Sequence, residues 1–580
     1  MTGSKHIGLF AGCLALVLAL GGIASAQPVM APDGRMDYGD EGIDFPPATQ
    51  INATLPRTVE LLGQAIAGET QFWFRRAQWV QELGRCKMPE AAPYLRLAMA
   101  DPAPQVRAQA AAAAAESGVA ELLGDVEKLM ADAEPMVRRE AVAAADALSL
   151  SRTNDSSAVL KGLEDTDQKV VQAAVNAART SGEIKALAAK MPSLTEDLHV
   201  AGLHSLGRAG AVDQAGLAAE FLDKSVPLRT AAVRSLAAMK ATDRLSAVEA
   251  RLADEHPTVR RAATEALADL APLDEQHRQA MKMLADGDPS VRTAAAGLLN
   301  PLPHTEAARA LAGLLDDPYR PLHAAIRAAL IHPATEQVKQ QVIELSAQLL
   351  DSANMRRRED GSYVLGRLHS NAAFEKHLAL LNVPKDDPQT VDWLLVTQAA
   401  ESLGLIGDQR AAQSLAELAA KAPRGFTVDY EKPLAGNPFD AMGAAFVAAG
   451  RLRYPRAMED AKRQVRGSPR EIPSQIRAAS IWYIGVISPE HDDDNAALAM
   501  SVYGGMEESM NSQMEALKAA GNIKAKSLED RLKEISTGVA EVQLRWMAHW
   551  AYERVAGRQT PYVPPRRNWK AQVTIEAREP

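Results

Sequence analysis

The chain is predicted to be all-α: a right-handed α-solenoid, or superhelix, of stacked antiparallel helical hairpins. Three observations predict this. A short phrase recurs at a period of about 31 residues, a length that one helical hairpin fills. Its clearest copies are Asp254-Glu255-His256-Pro257-Thr258-Val259-Arg260 and Asp286-Gly287-Asp288-Pro289-Ser290-Val291-Arg292. Within a copy the apolar residues follow helical spacing, with Val259, Ala263, Ala266, Leu267 and Leu270 on one face and Val291, Ala294, Ala295, Leu298 and Leu302 on the next. Aromatic residues make up only 4% of the 580-residue chain. That suits thin layers packed through alanine, and no alternation of strands and helices suggests a nucleotide-binding sheet.

The apolar residue before the repeated arginine marks the phase: Val106, Val137, Val170, Val200, Leu228, Val259, Val291 and Leu322. Arg260, Arg261, Thr264 and Glu265 are placed on the outer face. An aspartate precedes the arginine by six positions in five copies: Asp101 and Arg107, Asp132 and Arg138, Asp223 and Arg229, Asp254 and Arg260, Asp286 and Arg292. Pro135, Pro257 and Pro289 fall between them, at a first helical turn where the missing N–H had no intrahelical partner anyway. Gly118, Gly182, Gly210 and Gly407 are expected to close second helices as left-handed residues. The unit is helix, tight turn, helix, with Asp-x-x-Pro-x-Val-Arg at the turn.

This pattern resembles the short HEAT-like repeat found in phycobilisome-linker-lyase proteins and in deoxyhypusine hydroxylase. It holds phase over residues 88–420 and continues more loosely to about 556. The resemblance implies a scaffold, and it implies that the turn aspartates and arginines pair along the stack as a structural ladder. An anion-binding row of arginines is the alternative reading of the same residues.

The remaining segments take their places around this array. Residues 1–26 read as a secretory signal: Lys5, an apolar run from Ile7 to Ile23, then Ala24-Ser25-Ala26, with cleavage between Ala26 and Gln27. A retained membrane anchor is the alternative. Leu9-Phe10-Ala11-Gly12-Cys13 faintly resembles a lipoprotein box, but the apolar run continues past Cys13. Residues 27–56 form a Pro-rich linker, and 57–87 an N-terminal cap in which Phe72, Trp73, Phe74 and Trp79 cover the open end. Residues 421–556 are divergent helical repeats interrupted by a loop at 422–438. Helices are expected near 455–465, 476–487, 506–520 and 527–555, the last with Val539, Val542, Trp546 and Trp550 on one face. Residues 557–580 form an extended tail, with Val573-Thr574-Ile575 a possible short strand.

Composition excludes several classes. The formal net charge is −9, and loss of Lys5 with the leader makes it more negative. That is a poor match to nucleic acid, which needs basic patches. Arg356-Arg357-Arg358 is the only dense basic run, read as a solvated helix start. Only Cys86 remains after cleavage, so no intramolecular disulfide forms. No His-Glu-x-x-His, Gly-x-Ser-x-Gly or phosphate-loop pattern is present, and the missing His-Glu pairs count against the hydroxylase's iron chemistry. His199 and His204 are five apart, the wrong spacing for one helical face. Glu490-His491-Asp492-Asp493-Asp494-Asn495 is an acidic loop without a calcium-loop pattern.

The sequence therefore predicts a secreted or periplasmic, non-catalytic scaffold without catalytic, metal or cofactor residues. It binds a protein partner along its concave helical surface or through the 422–438 loop. Two alternatives stand beside it: an enzyme or accessory subunit with a pocket in the divergent C-terminal region, and a membrane-anchored envelope scaffold if the signal is uncut or Cys13 is lipidated. Partner identity and oligomeric state are not set by the sequence.

Overall fold

Proline sets where the second helix of several pairs begins. Pro104, Pro135, Pro257 and Pro289 each occupy the first position of their helix. Side chains cap the neighbouring donors. Asp288 accepts from the Ser290 N–H, Asp167 from Lys169 and Val170, and the His256 ring from Thr258. The computed structural model describes residues 56–69, 71–148, 155–383, 391–421, 436–505, 507–538 and 541–559, with the short pieces 29–30 and 36–37. The predicted signal, its Ala26–Gln27 junction, Cys13 and nearly all of the linker lie outside the described residues. So do Val539, most of the 422–438 loop, and the tail beyond 559.

The described residues are all-α, in consecutive helical pairs. The exceptions include a two-residue antiparallel pairing of Val29–Met30 with Met36–Asp37, an isolated bridge between Leu302 and Pro333, and a bridge residue at Asp392. The chain divides into two units. One holds the described residues from Pro56 to Ala373, and the other those from Phe374 to Gln559.

In the first unit the second helices stack in order. They run Trp73–Arg85, Pro104–Ser117, Pro135–Leu148, Gln168–Ala177, Glu196–Arg208, Val226–Ala238, Pro257–Leu270, Pro289–Leu298 and Arg320–Leu330. Short first helices such as Ala92–Met99 and Leu273–Met283 pack against them. Val106, Val137, Val170, Val259 and Val291 are all fully buried. In the second unit Trp393–Ile406, Pro438–Arg451, Ser474–Ile487, Met510–Ile523 and Val542–Ala556 stack the same way. Close approach between these helices needs small residues. A Cβ on Gly485 would sit 2.7 Å from Ala519 Cα, and one on Gly404 would sit 2.8 Å from Ala448 Cα.

Several expectations need correcting. Leu198, not Val200, is the buried phase residue of its layer; Val200 is only half-buried. His199 therefore holds the position that arginine holds elsewhere. Thr264 is buried rather than outward, its hydroxyl donating to the Arg260 carbonyl at 2.9 Å. The helix from Pro289 ends at Leu298, with Asn300-Pro301 just beyond, so Ala296 and Leu299 are buried and Ala294 and Leu298 only half-buried.

Gly118, Gly210 and Gly407 adopt positive φ, but Gly182 does not. It lies inside Ser181–Lys190, whose start is fixed by a capping box between Thr180 and Glu183. Lys87, Lys240 and Lys524 take the left-handed place in other layers. At the N-terminal end Trp73 and Phe74 are 45% and 52% exposed, so these two rings do not cover the array's end. The long helix expected at 527–555 is two helices, Glu529–Thr537 and Val542–Ala556, broken at the extended Gly538. Trp546 is buried in the second of them and Trp550 partly so.

His377 is a buried polar group without compensation. It is fully buried on the helix Phe374–Leu380, and neither ring nitrogen has a hydrogen-bond partner. Burial lowers its pKa from 6.5 to about 4, because the charged ring cannot be solvated there.

Two predictions follow from this packing. Gly485→Ala should lower thermal stability by about 1–3 kcal/mol through the clash with Ala519, whereas Gly297→Ala, with open space around it, should be neutral or stabilise by up to about 1 kcal/mol. Calorimetry compares the two. For His377 the folded value lies below the unfolded one, so its contribution is complete above about pH 6.5 and is lost as pH falls towards about 4. The loss is roughly 3 kcal/mol, and His377→Leu should flatten that part of a stability-versus-pH curve measured by urea denaturation.

Candidate functional site

The repeated arginine has two tasks. Its Nη1 donates to the backbone carbonyl of the aspartate that opens its own turn, from Arg107 to Asp101 at 2.8 Å, Arg138 to Asp132 at 2.9 Å and Arg260 to Asp254 at 2.9 Å. Its other nitrogens reach the carboxylate of the next layer. Arg107 holds Asp132 at 2.6 and 2.9 Å, Arg138 holds Asp165 at 2.7 and 2.8 Å, and Arg260 holds Asp286 at 2.8 Å through both nitrogens. Arg229 meets Asp254 at 2.9 Å, and Arg292 pairs with Asp317. Each carboxylate also accepts the N–H two residues on, as Asp286 does from Asp288 at 2.8 Å, which folds the turn. The contacts of Arg107, Arg138 and Arg260 are planar and two-pronged, and lysine is no substitute there, whereas Arg229 and Arg292 reach their aspartates through Nη2 alone.

The electrostatics follow from the geometry. The guanidinium hydrogen bonds hold Asp132, Asp165 and Asp286 below the usual carboxylate range. At Asp101, Asp254 and Asp317 burial pushes upward, but the arginine and the turn N–H outweigh it.

The row starts and stops where the sequence did not mark it. It begins with Arg76, which holds Asp101 at 2.7 and 2.9 Å. Asp165 ends the first run because Val171 and Ser193 replace the next arginine and aspartate. Asp223 is not in the row. Its side chain is 83% exposed and meets Arg251 at 3.1 Å, because the preceding layer offers His199, which turns to the Met191 carbonyl at 2.7 Å. The second run closes on another histidine. His323 Nε2 lies 2.6 Å from the Asp317 carbonyl and Nδ1 lies 2.9 Å from the fully buried Asp360, which also pairs with Arg327.

In the second unit Arg477, after Ile476, reaches the Gln464 and Gly467 carbonyls and pairs with Glu508 at 2.9 Å. Arg545, after Leu544, has the corresponding place in the last described helix, with its buried Nε unpaired. The repeated apolar-Arg dipeptide was the available signal for Arg477 and Arg545. A pairing distance of 25 residues was the signal for Arg76.

What these layers leave to solvent is a narrow stripe. Six residues after the phase residue the chain is exposed in six consecutive layers, at Ala143, Asn176, His204, Arg234, Glu265 and Gly297, and half-buried at Ala112 and Ala328 on either side of them. At the starts of second helices in the same unit, Trp73, Phe74, Met136 and Met355 add exposed apolar surface. Arg356 begins a helix capped by Asn354, and Arg357 pairs with Asp316 at 2.8 Å.

A cleft of about 430 Å³ opens between Arg309, Gly313, Leu345, Leu349 and Arg357. It lies outside the C-terminal region where a pocket was the alternative expectation. Among the described residues no group of three or more His, Cys, Asp or Glu is placed to hold a metal ion. In the acidic loop, Asp492 caps a helix and Glu490 pairs with Lys524 at 2.6 Å.

Repeated layers joined by an Asp–Arg row frame the comparison with known proteins. Residues 245–273 match the HEAT repeat family. No curated protein matches the sequence. The HEAT-type architecture extends well beyond that one match. Kap95 in its complex with Nup1 superposes with a TM-score of 0.52 at 12% identity, covering 88% of this chain and 84% of that one. Yeast importin-β (Kap95p) gives 0.48 at 12% identity over 87% and 84%, and Kap95p with RanGDP gives 0.43 at 12% identity over 88% and 84%. The likeness is one of fold: an all-α HEAT-type solenoid.

The row generates a prediction. Asp286→Ala leaves the Arg260 guanidinium unpaired and largely covered, and should cost about 2–4 kcal/mol. Asp223→Ala, at an exposed pair, should change stability by less than about 0.5 kcal/mol. Hydrogen exchange across residues 245–300 reads the difference locally, which suits an array that need not unfold in one step.

Proposed function

We propose that the protein is an exported, non-catalytic scaffold that holds a protein partner along the exposed stripe of its second helices. One observation carries this reading: equivalent positions in successive layers, from Ala143 to Glu265, present exposed side chains in register. A surface of that kind gathers many weak contacts along an extended partner. The exposed Trp73, Phe74, Met136 and Met355 supply apolar anchors at the helix starts. The Kap95 solenoid that shares the fold is itself seen in a complex with Nup1. Export rests on Lys5, the apolar run Ile7 to Ile23, and Ala24-Ser25-Ala26.

Photo-crosslinkers placed at Ala143, Asn176 and Glu265 test the surface against controls at Lys282 and Glu306 on first helices, all five being exposed. Expressed in its own cells, the protein should capture one protein species from the stripe positions and not from the controls. Equal capture from both sets rules the reading out. N-terminal sequencing of the same material should begin at Gln27, and a blocked or intact Met1 would defeat the export part.

A further inference from the structure

Charges on the stripe are mostly neutralised in place. Arg139 meets Glu140 at 2.6 Å, Arg179 pairs with Asp146, and Arg261 meets Glu265 at 2.7 Å. Between these pairs lies a group that differs. His204 and Arg208 stand one helical turn apart on Glu196–Arg208, and Arg234 stands on the adjacent helix Val226–Ala238. All three are exposed, and among the described residues no carboxylate lies within ion-pair distance of any of them. Among the described residues, the side-chain hydrogen bonds of Arg208 run to the Asn176 carbonyl and the Ser205 hydroxyl.

The backbones force these three side chains together. The Ser205 hydroxyl donates to the Val175 carbonyl at 2.6 Å, and the Ser235 hydroxyl donates to the Leu203 carbonyl at 2.7 Å. A Cβ on Gly207 would lie 3.0 Å from Ser235 Cα, so the two helices touch beside Arg208 and Arg234. Burial, then Arg234 and Arg208, holds the His204 ring below its ordinary value, and burial lowers Arg208. The direction is opposite for Arg107 and Arg260, which their aspartates raise. Arg208 and Arg234 thus leave positive charge unanswered on the binding stripe of a chain whose net charge is −9, a local site complementary to an anion.

We propose that His204, Arg208 and Arg234 form the point at which the stripe takes an acidic, Asp- or Glu-rich segment of the partner protein. The proposal rests on the scaffold reading above and names the chemistry of its partner. Arg208 and Arg234 supply planar donors to side-chain carboxylates, and His204 adds a further ring N–H beside them.

The test is fluorescence anisotropy with a labelled ten-residue glutamate-rich peptide and the full chain, with a glutamine-rich peptide as the neutral control. The glutamate peptide should bind more tightly, and binding should weaken as salt rises. Arg208→Gln with Arg234→Gln should weaken it by about tenfold or more, while Arg261→Gln should leave it within about twofold. Arg234→Gln alone guards against misfolding, since Arg234 makes no side-chain bond within the fold among the described residues; it should weaken binding by several-fold. Unchanged binding by the double variant, equal binding of the neutral peptide, or displacement by inorganic phosphate as readily as by unlabelled peptide would each overturn the proposal. Stripe crosslinks that persist in a double variant with unchanged peptide binding would remove only the acidic-segment inference. Absence of stripe-specific crosslinks would remove the scaffold reading.

Discussion

An arginine that grips its own turn and the next layer's aspartate is the contact on which stacking in the first unit depends. Arg107, Arg138 and Arg260 each make this double contact. A carbonyl in one layer and a carboxylate in the next are held by one rigid planar group, so the spacing and the rotation of neighbouring layers are fixed together. The pairs are mostly shielded from solvent, with side-chain exposures of 18% and 9% for Arg107–Asp132 and 14% and 8% for Arg138–Asp165. Partial burial makes them matter more than surface pairs, and it makes a missing partner costly.

The places where this contact fails explain the local design. Val171 and Ser193 remove one rung, and His199 replaces the arginine of the next. There the helices are joined by serine hydroxyls on main-chain carbonyls, from Ser205 to Val175 and from Ser235 to Leu203. Such bonds need close approach, which Gly207 permits. The same approach crowds His204, Arg208 and Arg234. At Leu322 a histidine substitutes differently: the two ring nitrogens of His323 face the Asp360 carboxylate and the Asp317 carbonyl, so one ring spans the turn and the next layer as the arginines do.

Function in such an array belongs to its surfaces. The interior is built from alanine, valine and leucine repeated layer by layer, and the ionic groups that recur with the repeat are occupied in holding it together. What distinguishes one stretch of stripe from another is the residue six places after each phase residue, which changes from asparagine to histidine, arginine, glutamate and glycine along the chain. Variation of that kind on a constant backbone lets one stretch of a HEAT-type array differ in surface chemistry from the next.

Period, helical spacing and turn chemistry were legible in the residues, because each depends on near neighbours in the chain. Helix, turn, helix and the burial of Val106, Val137, Val259 and Val291 follow from local pattern alone. The reading of Val200 as a phase residue failed for a physical reason: two apolar residues two places apart both fit a helical pattern, and only packing against the adjacent layers chose Leu198. Partners 25 to 27 residues apart, such as Arg76 with Asp101 and Arg138 with Asp165, were likewise settled by the stack. Sequence determined that layers form and what each carries at its turn. Tertiary structure decided which charges are answered and which, like Arg208 and Arg234, are left facing outward, because neutralisation depends on distances across layers.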